Sequence, residues 1–407
     1  MAGPLSHIRV LDLSRVLAGP WAGQNLADLG AEVIKVERPG KGDDSRAFGP
    51  PWFKDPEGKD TSEAAYYMAA NRGKKSITVN LSNAQGQELV RELAKHCDVL
   101  IENYKVGDLV RYGLGYEDIK KVNPKIIYCS VTGFGQTGPY AERPGYDFMV
   151  QGMSGLMSVT GEPDGVPGGG PMRVGVPIID ILTGMYSSVA ICAALAHRAE
   201  TGVGQHLDLA LLDTAMAFLS IQGMTYLTTG VAPGRIGNTH PTIVPYQVFP
   251  TADGNVILAC GNDNLWSKFC TAAGCPELIA DARFSKNALR VQNRKELDPI
   301  LKAVFARKNT KEWVAILEEA GVANGPINTI DQAFAEEQVI ARGTRIDLPH
   351  PKGGKAPLIA SPMKFSATPV EHKAAPPTLG QHSEEILTGM LGYSAEKIAE
   401  LKAAGAL

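Results

Sequence analysis

The sequence predicts an α/β protein, with an open, doubly wound parallel sheet near the N-terminus and a smaller α+β region behind it. Three observations carry this. Strand and helix signals alternate four times between Ile8 and Phe134, the pattern of successive βα units. The alternation stops in a glycine-rich stretch, with eight glycines from Gly152 to Gly175. Two alternating runs then flank Asp253-Gly254, which reads as a hairpin.

Taken in order, IRVLDLS (Ile8 to Ser14) is a buried strand pattern and VLAGP a turn. WAGQNLADLG (Trp21 to Gly30) reads as a short helix stopped by glycine. AEVIKVERP is a second strand ended by Pro39, so the first crossover is a right-handed βαβ unit. Lys41 to Ala65 is polar and rich in Gly and Pro, which predicts a long surface loop. SITVNL, DVLIEN and KIIYCSVTGF are further strands, with helices over Asn83 to His96 and Val106 to Tyr112 between them. A helix through Asp180 to Ala199, a strand in GVGQHLDLAL and an apolar helix in LLDTAMAFLSIQGMTYL follow. The residue pattern divides the chain at about 1–224, 225–330 and 331–407, with short strands of the tail rejoining the first sheet.

Hydrophobic residues are 44% of the 407 and charged ones 20%, enough apolar material for a large core. The net charge of -3 disfavours a nucleic-acid partner. Six scattered cysteines form no CxxC pair and no zinc spacing, so no metal is expected. The opening MAGPLSHIRV lacks a leader pattern, and a reduced, cytoplasmic location is expected. Val174 to Ala196 is long enough to span a bilayer, but Pro177, Gly184 and Asp180 interrupt it, so it reads as a core helix and no membrane partner is expected.

The first strand–turn–helix of such a sheet is where phosphates sit. A dinucleotide fingerprint is missing there; the chain has Leu17-Ala18-Gly19-Pro20. The predicted strand ends instead gather polar and cationic groups: Lys35, Glu37 and Arg38; Asn71, Arg72, Lys74 and Lys75; Asn103, Tyr104 and Lys105, then Arg111. Several cations beside a tyrosine suit an adenine nucleotide with several phosphates. Solvated surface cations are the bland alternative. Asp180 is the only formally charged residue between Arg173 and Arg198. A carboxylate in an apolar stretch costs several kcal/mol unless paired, protonated or solvated. It reads equally as a helix N-cap and as a catalytic group. His240, near Arg235 and Asn238, marks a loop able to read a carboxylate, or an ordinary turn. No Walker, HExxH or Ser-His-Asp pattern is present.

With these motifs in view, the chain resembles the class III CoA-transferases, the family of formyl-CoA transferase, carnitine CoA-transferase and the succinate–hydroxymethylglutarate (glutarate) CoA-transferases. The likeness runs over essentially the whole chain. It rests on VLDLSRVLAGPWAGQNLADLGAEVIKVERPGKGDDSR, NRGKKSITVNL, DVLIENYKVG, SVTGFGQTGPYAERPGYD, VGVPIIDILTG, GQHLDLALLDTA and LGQHSEEIL. The resemblance implies a Rossmann-like large domain built from both chain ends, a smaller inserted domain, and two subunits interlocked as rings in a homodimer. It implies no tightly bound cofactor; a coenzyme A thioester is a substrate, and a carboxylic acid is the partner substrate. The catalytic aspartate maps to Asp180, which attacks the thioester, forms a mixed anhydride and then becomes an aspartyl-CoA thioester.

By the same resemblance, Val16, Leu17, Ala18, Arg38, Arg72, Lys75, Asn103, Tyr104, Lys105 and Arg111 bind CoA, joined by Arg143 and Tyr146. Asp147, Arg46, Gly261, Asn262, Arg235 and His240 are assigned to the substrate acid. Leu17 stands where the formyl-CoA branch has glutamine. Pro144 stands where it has a lysine near the pantetheine, with Arg143 as substitute. Its glycine-rich lid is reduced to GNDNLW (Gly261 to Trp266). These departures point away from formyl and oxalate chemistry. A racemase branch of the family uses a histidine in a GHD motif. Here the residues are Gly145-Tyr146-Asp147, which favours transfer over racemisation. GNTHPTIVPYQ looks most like the dicarboxylate branch, with succinyl-CoA as donor and glutarate as acceptor.

Overall fold

The computed structural model describes residues 3–407. They form two compact units. One comprises residues up to Leu156, Val174–Met224 and Gln338–Leu407; the other comprises Met157–Arg173 and Thr225–Glu337. The insertion therefore runs to Glu337 rather than 330. The second unit also takes most of the glycine-rich run, which turns back on itself through a bridge between Glu162 and Gly169.

The first unit is built on six parallel strands: β1 Arg9–Asp12, β2 Glu32–Glu37, β3 Lys74–Thr78, β4 Val99–Glu102, β5 Ile127–Thr132 and β6 His206–Ala210. Their spatial order is β3-β2-β1-β4-β5-β6. The order reverses between β1 and β4, and the cleft of such a sheet lies at that reversal, outside the carboxyl ends. The central strands β2, β1, β4 and β5 are buried at nearly every position, and the edge strands β3 and β6 only in part. One cluster, with Leu11, Ile34, Ile77 and Leu100, faces helix α2 (Ala84–Lys95). The other, with Val10, Val33, Val99 and Ile127, faces α1 (Ala18–Asp28) and α4 (Ile178–Thr201). The short helix α3 (Asp147–Met153) bonds the start of α4. A Cβ at Gly184 would stand 2.6 Å from the Ala18 carbonyl oxygen and 2.9 Å from Trp21 Cβ, so α4 sits on α1 through a missing side chain. By length and composition α4 could also cross a membrane. Ile179, Thr183, Ser187 and Ile191 are buried along it, while Met185, Tyr186 and Val189 are exposed.

Two of the strand-end cations are not ligand groups at all. Lys74 Nζ is fully buried, 2.9 Å from Asp12 Oδ2 and donating to the Pro20 carbonyl and Asn71 Oδ1. Lys35 is equally buried, 2.8 Å from Asp43 Oδ2 and 2.8 Å from the Ser14 carbonyl. Both fasten β1–β3 to the turn beneath α1. Burial outweighs Asp12 at Lys74 and lowers its pKa to about 8. Lys74→Met is expected to cost about 3–5 kcal/mol, because it strands Asp12 as a buried carboxylate; urea unfolding measures this. Adding Asp12→Asn should recover a large part.

The predicted loop over 41–65 holds a short 3₁₀ turn, Asp44–Ala47, and a hairpin of Trp52–Lys54 with Asp60–Ala64. The tail strands do not rejoin the large sheet; Arg345–Pro349 and Lys355–Ile359 pair only with each other. Alternation alone could not tell these two partners apart.

In the second unit, Tyr246–Pro250 and Asn255–Ala259 pair antiparallel, and Ala323–Pro326 adds along the second of them. Helices Asp263–Ala272, Arg294–Phe305 and Thr310–Glu319 accompany them. The core is aromatic: Phe249, Phe269 and Phe305 stack, with Trp313 against Phe305.

Candidate active site

The chain leaves β1 and β4 on opposite sides of the reversal, and the two exits are clipped together. Arg15 N donates to Asn103 Oδ1 at 2.8 Å, and Asn103 Nδ2 returns a bond to the Arg15 carbonyl at 2.7 Å. Glu102, at the end of β4, accepts from Tyr104 N at 2.8 Å, and burial pushes this carboxyl up to about 7. Val16 follows with φ 71°. A β-branched residue in that left-handed region is a true outlier and stores strain. Its N–H is held by Asp43 Oδ1 at 3.0 Å. Leu17 then precedes α1, which begins with no side-chain cap.

These two exits form one side of a cleft. Its lining includes Arg15 to Ala18, Asn103 to Lys105, Thr132 and Gly133, Arg143 to Tyr146, Leu211 and Asp180. Gly133 and Gly145 touch backbone to backbone: a Cβ on the first would lie 2.5 Å from the second's Cα. No other residue type fits at either position.

Asp180 is the third residue of α4, and Pro177 occupies the cap position without a side-chain bond. The cap reading of Asp180 is therefore corrected. The capping is done from α3, by Asp147. Its Oδ2 accepts from Ile179 N at 2.8 Å and Asp180 N at 3.3 Å, while its Oδ1 accepts from Gln151 Nε2 at 2.6 Å. Gln151 in turn accepts from Val174 N at 2.9 Å. Burial first, and then the Asp147 charge, push the Asp180 carboxyl up to about 7. It is a largely desolvated carboxylate held at a helix start, in an open cleft, with no ion pair among the described residues. Such a group can act as a nucleophile near neutral pH. Tyr66 belongs to the same neighbourhood: burial and the charges of Asp180 and Asp147 push its phenol up to about 12.

Of the residues singled out from sequence, Val16, Leu17, Ala18, Asn103, Tyr104, Lys105, Arg143, Tyr146 and Asp180 line the cleft, and Asp147 lies directly behind Asp180. Arg38 pairs with Asp44, which also holds Arg15 at 2.9 Å. Arg72 does not reach the cleft; it is buried in a two-pronged bond to Asp28 and donates to the Ile359 carbonyl. Lys75 bridges Glu32 and Glu385. Arg111 pairs with Asp108 on the surface. Arg46 is corrected from substrate contact to structural group. It is sealed between Glu37 and Glu63, at 2.8 Å each, over the Tyr67 ring. In the second unit Arg235 is taken by Asp164 and the Glu162 carbonyl. The His240 ring nitrogen accepts from Thr242 N and Ile243 N, so this histidine closes a turn. Asn262 caps the helix Asp263–Ala272 by accepting from Leu265 N at 2.9 Å, and Gly261 precedes it in open space.

Asp44, Tyr66, Thr132 and Gly133 were not foreseen. Asp44 lay in a segment read as loop. The signal for Gly133 was present in VTGFGQTG, but pairing it with Gly145 needs the fold.

The sequence profile of CoA-transferase family III matches residues 5–383. The chain belongs to CoA-transferase family III. As a member of that family it is an enzyme of the CoA-transferase type, acting on CoA thioesters and carboxylates. It is 50% identical over 384 residues to a succinate–glutarate CoA-transferase of Agrobacterium fabrum, covering 94% of this chain and 95% of that one. It is 44% identical over 402 residues to a human succinyl-CoA:glutarate CoA-transferase, covering 99% and 89%. A CAIB/BAIF family protein from Brucella suis, solved by crystallography, superposes with a TM-score of 0.84 at 48% identity, over 96% of this chain and all of that one.

Proposed function

We propose that this family III CoA-transferase moves CoA from succinyl-CoA to a dicarboxylic acid such as glutarate, through a covalent aspartyl-CoA thioester on Asp180. The observation that carries the reading is the placement of Asp180, a carboxylate with a raised pKa and no ion pair among the described residues, in the cleft at the sheet reversal. The named activities of the relatives support the substrate pair.

The steps balance without a proton acceptor. A carboxylate oxygen of Asp180 attacks the thioester carbonyl, the C–S bond breaks, and CoA leaves as thiolate. The succinyl–aspartyl anhydride is attacked by that thiolate at the aspartyl carbonyl, releasing succinate. Glutarate then attacks the aspartyl thioester and the sequence runs in reverse. A carboxylate suits this role because each acyl link it forms is close in energy to the one it replaces. The cleft's backbone N–H groups, notably at the uncapped start of α1, offer oxyanion donors. A racemase needs a second base, and Tyr146, 70% exposed, stands where that base would be.

The same proposal includes a cytoplasmic homodimer with interlocked subunits. Exposed Met216, Ile221, Met224, Leu227 and Val231 lie close together in sequence and support a buried self-contact.

The test is a panel of labelled acids incubated with succinyl-CoA. Label should enter the thioester pool from glutarate at least about tenfold faster than from the monoacid valerate. A panel in which no acid acquires CoA would end the proposal.

A further inference from the structure

We propose that Arg143 reads the second carboxylate of the acyl chain, so that it sets the enzyme's preference for dicarboxylic over monocarboxylic acids; this rests on the transfer reaction proposed above. The argument begins with elimination. A diacid bound at its reacting end presents a second negative charge, which needs a cation not already neutralised. Arg38, Arg46, Arg72, Arg111 and Arg235 are each bound to a carboxylate, and so is Arg15 in the cleft wall. Among the described residues Arg143 has no ion pair.

It is held by other means. Its guanidinium carbon lies 4.3 Å from the centroid of the Tyr140 ring and 5.4 Å from that of Phe134. The two rings meet edge to face at 5.6 Å. Aromatic contact positions a guanidinium while leaving its charge intact and its N–H fork available to a carboxylate. The segment carrying it is constrained as well. Pro144 fixes one torsion, and Gly145 is pressed against Gly133.

Placement completes the argument. Arg143 lines the cleft that Asp180 lines. It stands four residues before Asp147, whose carboxylate bonds Asp180 N. Four residues span at most about 14 Å, so the fork and the nucleophile belong to one neighbourhood. Lys105, the other cleft cation without an ion pair among the described residues, follows β4 and offers a compact point charge better suited to a phosphate. The resemblance had put Arg143 with the pantetheine. A planar fork caged by two rings beside the acyl site is better matched to a carboxylate.

The test compares glutarate and valerate as acceptors for wild type and Arg143→Gln, with butyryl-CoA as donor. The glutarate-to-valerate ratio of kcat/KM should fall roughly 10- to 100-fold in the variant, the effect of losing a charge-assisted bond. Arg143→Lys should restore part of it. Equal losses for the two acids, or a raised KM for butyryl-CoA that accounts for the whole effect, would assign Arg143 to CoA and overturn the proposal. Should Arg143→Gln not fold, the wild type decides: glutaramate, lacking the second charge, must compete with labelled glutarate at least about tenfold more weakly than glutarate itself. Equal competition would also overturn it. Failure of transfer as such appears separately, as wild type moving no label to any acid.

Discussion

Asp180→Ala should retain less than about one thousandth of wild-type turnover, since loss of a covalent nucleophile removes the reaction path rather than easing it. Borohydride reduction after incubation with succinyl-CoA should convert Asp180 to a homoserine side chain in wild type, detectable in its peptide by mass spectrometry. Full activity in the variant would refute the assignment. The pH profile adds a second reading. Asp180 must be ionised to attack, and burial with Asp147 holds its pKa at about 7. The acid limb of kcat/KM should therefore fall about tenfold for each pH unit below neutrality, well above the range of an ordinary carboxylate. Stability runs the other way. The folded-state pKa is raised above the unfolded one, so the protonated form is favoured on folding and the penalty grows as pH rises through about 7. Asp180→Asn should accordingly melt higher than wild type at pH 8, and the gain should shrink at pH 5.

Asp147→Ala is expected to have the next largest effect, through position rather than contact with substrate. The variant leaves Ile179 N and Asp180 N without their acceptor at 2.8 and 3.3 Å and frees Gln151. Loss of such a cap costs about 1 kcal/mol, up to 2. A nucleophile displaced by about an ångström loses on the order of 100-fold in rate. Asp147→Asn separates the two roles. Its amide oxygen keeps the cap, although the contact from Gln151 Nε2 is lost. Removing the negative charge lets the Asp180 pKa fall, so the acid limb should move to lower pH. A limb that stays in place would show that burial alone sets it.

Much of the fold was legible because the first 134 residues obey a simple rule. Strand and helix signals alternate there, broken only by the long loop between β2 and β3, and a parallel sheet with its cleft at the reversal follows. The tail was not legible. Arg345–Pro349 alternates exposed and half-buried positions like many strands, and only three-dimensional packing tells a separate hairpin from an edge of the large sheet. At the site, Asp180 stood out by charge alone, and the cleft-lining residues after β1 and β4 followed from topology. The cations did not. Charge counting cannot distinguish Lys74, sealed against Asp12, from Lys105, open to the cleft. The resemblance likewise could not show that Arg46 and Arg72 are held by carboxylates 9 and 44 residues away in the chain.

The empty flank of Gly184 has a bearing on catalysis as well as on packing. Asp180 and Gly184 are separated by one turn of α4, about 6 Å along its axis. A close contact of the helix with α1 thus lies one turn below the reactive carboxylate. Adding even a methyl group there would lever the rod outward at its front end, and the reach of the nucleophile into the groove is in effect calibrated by an atom that this chain does not have.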